Sequence, residues 1–164
     1  MTEMLQIHAY EGSRDVLDPL FAEADDSPSQ IASYKNLGEI LVATIDGNIV
    51  GQALMVKIDE PGTYEIKSLA VDEKWRSQGI GASLIQASCA HCRQLQAKSV
   101  LVATAAASIP ALKFYQRQGF RIRHVIRDFY SAERGYKPLD LDGIPLLDEV
   151  ILDRDLSSLP ATTG

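Results

Sequence analysis

One run of residues constrains this chain more than any other: Leu69-Ala70-Val71-Asp72-Glu73-Lys74-Trp75-Arg76-Ser77-Gln78-Gly79-Ile80-Gly81. It reads as a buried strand, a short polar connector, a glycine-rich turn and the start of a helix. The first N–H groups of a helix have no partner inside it, and the helix dipole adds partial positive charge there. Glycine lets the main chain approach an anion closely, so the natural guest is a phosphate or pyrophosphate. Arg76 adds a permanent charge at the mouth.

Three glycine-rich designs compete for this run. A nucleoside-triphosphate loop needs G-x-x-x-x-G-K-[ST], a string the chain lacks. A dinucleotide fingerprint needs G-x-G-x-x-G/A, and Leu84 stands where the third small residue belongs. What remains is R-x-x-G-x-G after an apolar strand, a weak motif alone. Downstream stands Ala111-Leu112-Lys113-Phe114-Tyr115-Gln116-Arg117-Gln118-Gly119-Phe120, a helix closed by glycine and followed by a strand. With strand 63–71, helix 79–95, strand 98–104 and helix 108–118 in that order, the chain resembles the GNAT superfamily of acyl-CoA-dependent N-acyltransferases. The two motifs and their separation span 63–126, and the coarse element order extends over nearly the whole chain.

The resemblance implies a mixed α/β fold, a GNAT-like twisted mixed sheet with helices on both faces. It implies that the backbone of Leu69, Ala70 and Val71 pairs with a pantetheine arm as an extra strand would, and that an N–H polarises the thioester. Arg76, Ser77, Gln78, Gly79, Ile80, Gly81 and Ala82 would wrap the pyrophosphate. Tyr115 matches the family tyrosine beside the cofactor sulfur, a general acid or thiol-orienting group; the plainer reading is aromatic packing with Phe114. Glu65 matches the position where some members keep a catalytic glutamate, a base acting directly or through water; the plainer reading is an anchoring carboxylate. Strand alternation puts Glu65 on a face with Lys67 and Leu69.

Two positions depart from the family pattern. Ser108 stands where many members carry an asparagine that touches pantetheine or substrate; it replaces one hydrogen bond of an amide, or serves as an N-cap before Ile109-Pro110. Ala103 stands where the branch that acetylates ribosomal protein N-termini carries a glutamate, which counts against that branch. The implied activity is transfer of acetyl from acetyl-CoA to a primary amine of a small molecule or peptide. Direct attack in a ternary complex is preferred, since neither cysteine lies in the motif strand or the tyrosine helix. The alternative is a non-catalytic acyl-CoA-binding sensor or accessory protein, and the presence of both Glu65 and Tyr115 favours the enzyme.

The 164 residues suit one domain over 1–155, with a flexible tail over 156–164. No apolar run approaches the roughly 18 residues needed to cross a bilayer, so no membrane partner is expected. Residues 1–10 lack a secretory signal, which makes a cytoplasmic protein the simplest expectation. A formal net charge of −6 and a pI near 5.0 argue against nucleic acid as a partner. Basic residues gather in 113–137 and acidic ones in 140–155, read mostly as solvated faces. A homodimer through the late strands is compatible with the chain, without a firm signal for it.

Cys89-x-x-Cys92 with His91 invites a metal or redox reading. Zinc needs two more ligands, and His8 and His124 form no recognisable second pair. A redox dithiol favours a helix N-terminus, whereas these lie in the later half of helix 79–95. Cys92 falls with Leu84, Ser88 and Leu95 on the inward stripe and Cys89 at its edge, so core or margin residues, with no metal, are expected.

The other elements follow from periodicity and turn chemistry. Met4–Ala9 reads as a strand, Ser13–Ala24 as a helix, and a second short helix runs to Tyr34 after Asp25-Asp26-Ser27-Pro28. Strands Glu39–Ile45 and Ile49–Ile58 join at Asp46-Gly47-Asn48, and Pro61-Gly62 leads into strand 63–71. Asp142-Gly143 cues a hairpin into a last strand over Leu147–Leu152. The segment 128–143 is long for a connection. Together with 22–35 it is the candidate for acceptor recognition.

Overall fold

The computed structural model describes residues 4–157, so 158–164 of the expected tail lie outside the described residues. In chain order the elements are β1 (Leu5–Tyr10), α1 (Asp18–Ala24), α2 (Pro28–Tyr34), β2 (Glu39–Ile45), β3 (Asn48–Lys57), β4 (Thr63–Val71) and α3 (Ile80–Gln94). There follow β5 (Ser99–Ala105), α4 (Ile109–Arg117), β6 (Arg121–Ile126), β7 (Asp140–Leu141), β8 (Ile144–Pro145) and β9 (Glu149–Asp155). Seven strands form one sheet in the order β1-β2-β3-β4-β5-β9-β6. Among the described residues only β4 and β5 pair in parallel, because α3 carries the chain back over the sheet between them.

Helices cover both faces. Leu84, Ile85, Cys89 and Cys92 of α3 pack against Leu41, Ala43, Met55 and Ile66 on one side. Leu17, Leu20, Phe21 and Tyr34 pack against Ile40, Val42 and Leu54 on the other. A strand buried on both faces reads as a continuous apolar run, and β2 does. Both cysteines are fully buried thiols inside the first cluster, Cys89 as deeply as Cys92, while Leu95 at the C-cap of α3 is exposed. No described helix is long and apolar enough to cross a membrane.

The structure corrects several boundaries, each for a local reason. Helix 13–24 divides into a 3-10 turn over Arg14–Leu17 and α1, which restarts with Pro19 in its first turn where a missing N–H does no harm. Asp142 and Gly143 take φ of 51° and 83° and close the two-residue ribbon β7–β8 rather than a hairpin into the last strand. Residues 147–148 latch the late loop: Tyr130 N donates to Leu147 O, and Asp128 N to Asp148 Oδ1. The last strand therefore starts at Glu149 and runs on to Asp155, opposite Ser99. Leu156, expected in the tail, is fully buried and its N–H donates to Lys98 O.

Two irregularities of β4 create the site. It pairs with β5 only over Thr63–Glu65, so from residue 66 onward the edge facing β5 is unpaired. Against β3, Ile66 pairs with Met55 and Ser68 with Leu54, leaving Lys67 as the extra residue of a β-bulge. The bulge resets the alternation. Ile66 and Leu69 pack with the α3 cluster, whereas Ala70 packs with the α1–α2 cluster, and the Lys67 ammonium lies 5.4 Å from the Tyr34 ring centre on that same side. Leu69 thus turns away from Lys67, contrary to simple alternation.

Candidate active site

The open edge of β4 and the N-terminus of α3 border one groove of about 880 Å³, closed on its far side by α4. Leu69, Ala70, Val71, Arg76, Ser77, Gly79, Ile80, Gly81, Ala82, Ser108 and Tyr115 all line it. Gln78 does not. The turn before α3 owes its shape to two left-handed residues, Ser77 at φ 64° and Gly79 at φ 81°. A Cβ at Gly79 would meet nothing within 4 Å, so it is the left-handed backbone and not crowding that asks for glycine there. Gly81 differs: a Cβ there would stand in ordinary contact with Phe114, 3.4 Å from its Cζ, where α3 and α4 meet. Ile80 turns its side chain into the core and offers the groove its backbone.

Arg76 stands at the mouth, already engaged. Its guanidinium pairs with Glu23 and donates through Nε to Val71 O at 3.2 Å, which ties the turn to the end of β4. Ser108 holds the N-cap position of α4 yet makes no side-chain cap, so its hydroxyl is left for the groove. Trp75, Lys113 and Arg117 also line the groove, and the two cations lie on α4 facing the turn.

A second, smaller cavity of about 330 Å³ adjoins the first, and Leu69, Ser108, Ala111 and Tyr115 line both. Tyr115 therefore sits at the junction. Its ring packs edge-on against Phe114 and Phe120, and burial pushes its hydroxyl up to about 12, so it holds its proton throughout the working pH range. Glu65 lies in this smaller cavity and not in the groove, with Lys67 Nζ 3.9 Å from Oε1.

Both segments expected to recognise the acceptor reach this cavity. Asp25, Asp26 and Gln30 come from the first, Phe129, Tyr130, Tyr136 and Leu141 from the second. They are fastened together: Tyr136 Oη donates to Asp25 Oδ1 at 2.8 Å, Tyr34 Oη to Asp25 Oδ2 at 2.9 Å, and Ser27 Oγ to Arg134 O at 2.6 Å. Burial and the adjacent Asp25 carboxylate hold the Tyr34 and Tyr136 hydroxyls well above the ordinary tyrosine range. Phe129, Tyr130 and Tyr136 form a cluster with ring centres 4.9 to 6.2 Å apart.

Sequence reasoning missed Glu149. It is the first residue of β9, between Ala105 and Ile126, and only 9% exposed. Its side chain lines the acceptor cavity. Burial pushes its carboxyl up to about 7; Glu65 and Asp25 act in the same direction, and Lys67 and Arg134 oppose. In the sequence it was one of many acids in 140–155, and only the pairing of β9 with β5 reveals its place.

Residues 6–120 match the model of the acetyltransferase (GNAT) family. An uncharacterised N-acetyltransferase of Bacillus subtilis strain 168, YvbK, is 30% identical over 154 residues, covering 94% of this chain and 98% of that protein. Among solved structures, a GNAT family acetyltransferase from Elizabethkingia anophelis with acetyl-CoA bound superposes with a TM-score of 0.85 at 28% identity, over 92% of this chain and 97% of that one. A Bacillus subtilis acetyltransferase in complex with CoA gives 0.85 at 30% identity, over 93% and 99%.

Proposed function

The chain belongs to the acetyltransferase (GNAT) family, and from that premise we propose that it transfers acetyl from acetyl-CoA to a primary amine by direct attack in a ternary complex. Acetyl-CoA supplies the activated thioester. The observation that carries the reading is the continuity of two spaces: the groove along the open edge of β4 ends at Tyr115, where the acidic cavity begins. A donor laid along the first meets an amine held in the second.

The residues then divide the work. The unpaired N–H and C=O groups of β4 beyond residue 66 hold an extended pantetheine as a further strand, and an N–H freed near the bulge faces the oxygen that gains charge. The N–H groups of Ser77 and of Gly79 to Ala82 receive the pyrophosphate, with Lys113 and Arg117 opposite. Glu149 takes the proton from the attacking amine: a carboxyl that titrates near 7 is about half ionised at neutral pH and strong enough to accept it. Glu65 anchors the amine beside it. Tyr115 offers its proton to the sulfur as the C–S bond breaks, and the amide and free thiol leave.

Tyr115→Phe is expected to lower kcat by about tenfold to a hundredfold. The acetyl-CoA dissociation constant, from calorimetric titration, should stay within a few-fold of wild type. A non-catalytic sensor would bind acetyl-CoA equally well and release no CoA with any amine. The buried, unpaired thiols of Cys89 and Cys92 support a cytoplasmic setting. The free outer edge of β6, with Ile122 and Val125 exposed, supports a homodimer. Light scattering should then give a molar mass near twice the 18.0 kDa of one chain.

A further inference from the structure

We propose that the acceptor is a compact aliphatic amine bearing a second positive charge, a diamine or short polyamine, held between Glu149 and the Asp25–Asp26 side of the acceptor cavity. The proposal rests on the acetyl-transfer reading above and narrows it.

Charge is the first argument. Asp25 and Asp26 at the end of α1, Glu65 on β4 and Glu149 on β9 converge on one space of about 330 Å³. Among the described residues one lysine lines it, Lys67, which already faces Glu65 at 3.9 Å and the Tyr34 ring at 5.4 Å. Glu149 is the second and independent argument. It is more than nine-tenths buried, its side chain turns into the cavity, and its carboxylate makes no hydrogen bond or ion pair with any described residue. The charged form of such a carboxylate is stabilised when a cationic donor reaches it from the cavity.

The walls match the rest of such a ligand. Tyr130 and Tyr136 present aromatic surface to a methylene chain, while the Phe129 ring beside them is already covered by Arg134, whose guanidinium carbon lies 4.3 Å from its centre. Asp25 is locked in place by Tyr34, Tyr136 and the Ser27 N–H, while Asp26 at the mouth makes no side-chain hydrogen bond with a described residue. Asp26 and Glu149 line the same cavity, so an ammonium at the one and an amine at the other would use both of its acidic sides. An amino acid would bring its own carboxylate into this excess of negative charge, and a simple monoamine would leave one carboxylate side unmatched.

The test compares putrescine with n-butylamine, which lacks the second charge, and with L-ornithine, which adds a carboxylate. CoA release is followed alongside calorimetric binding of acetyl-CoA. Putrescine is expected to exceed both in kcat/KM by at least about tenfold, and Asp26→Asn should cut its advantage over n-butylamine at least about fivefold. Saturable acetyl-CoA binding together with equal or better turnover of n-butylamine or L-ornithine, or with no turnover of putrescine, overturns this inference and leaves the acetyl-transfer reading standing. Failure of the folded wild type to bind acetyl-CoA overturns both.

Discussion

Glu149→Gln is expected to be more stable than the wild type above neutral pH and nearly inactive. Both effects have one origin. The carboxyl is pushed from an ordinary 4.5 up to about 7 because burial disfavours its charged form. Below about 4.5 it is protonated folded or unfolded, and no difference arises. Between 4.5 and 7 the unfolded chain is ionised while the folded one holds the proton, so stability falls as pH rises. Above 7 the penalty is fully present. Glutamine keeps the shape and never ionises, so the variant should gain on the order of 2 kcal/mol at pH 8, and little or nothing at pH 4. Urea unfolding at the two pH values reads this directly. The same substitution removes the proposed proton acceptor, and kcat should fall by about a hundredfold or more. Wild-type kcat/KM should climb through an apparent pKa near 7, shaped by Lys67, Arg134, Glu65, Asp25 and Tyr130 around the group. Loss of stability at pH 8 would mean that the folded protein stabilises the charged carboxylate, and unchanged turnover would remove Glu149 from the base role and return it to Glu65.

Gly81→Glu should abolish acetyl-CoA binding without unfolding the protein. The new carboxylate would sit in the first turn of α3, where it satisfies the same N–H groups that would receive the pyrophosphate. A negative charge is favourable there, so the helix itself is not weakened. The Cβ would meet Phe114 Cζ at 3.4 Å, an ordinary van der Waals contact. The expected result is a dissociation constant raised at least about a hundredfold, close to 3 kcal/mol of lost binding. The thermal midpoint should move by only a few degrees. Retained binding in the folded variant would mean that the phosphates lie elsewhere.

The parts of this molecule that were legible in the sequence are those whose physics is local. Strand 63–71 matches β4 end for end, and the glycine turn before α3 declares itself because left-handed backbone and a helix start depend on neighbouring residues alone. The remainder depends on contacts distant in the chain. Glu149 could not be told from Asp148 or Asp153 until β9 lay between β5 and β6. Asp25 read as a helix breaker, whereas two hydroxyls, one of them 111 residues away, make it the fastening point of the cavity wall. The face of Leu69 was misread because one unpaired residue at Lys67 shifts the phase of β4, and alternation carries no mark of it.

The incomplete pairing of β4 has a consequence for the protein at rest. From Ile66 to Val71 the strand lacks a neighbour on the β5 side, so the sheet is unfinished in its middle. Unpaired strand edges are where extended chains add themselves. Whatever fills the gap protects the native state by mass action. Acetyl-CoA, on this view, guards its own enzyme against self-association, and preparations stripped of it should be the ones that cloud first on warming.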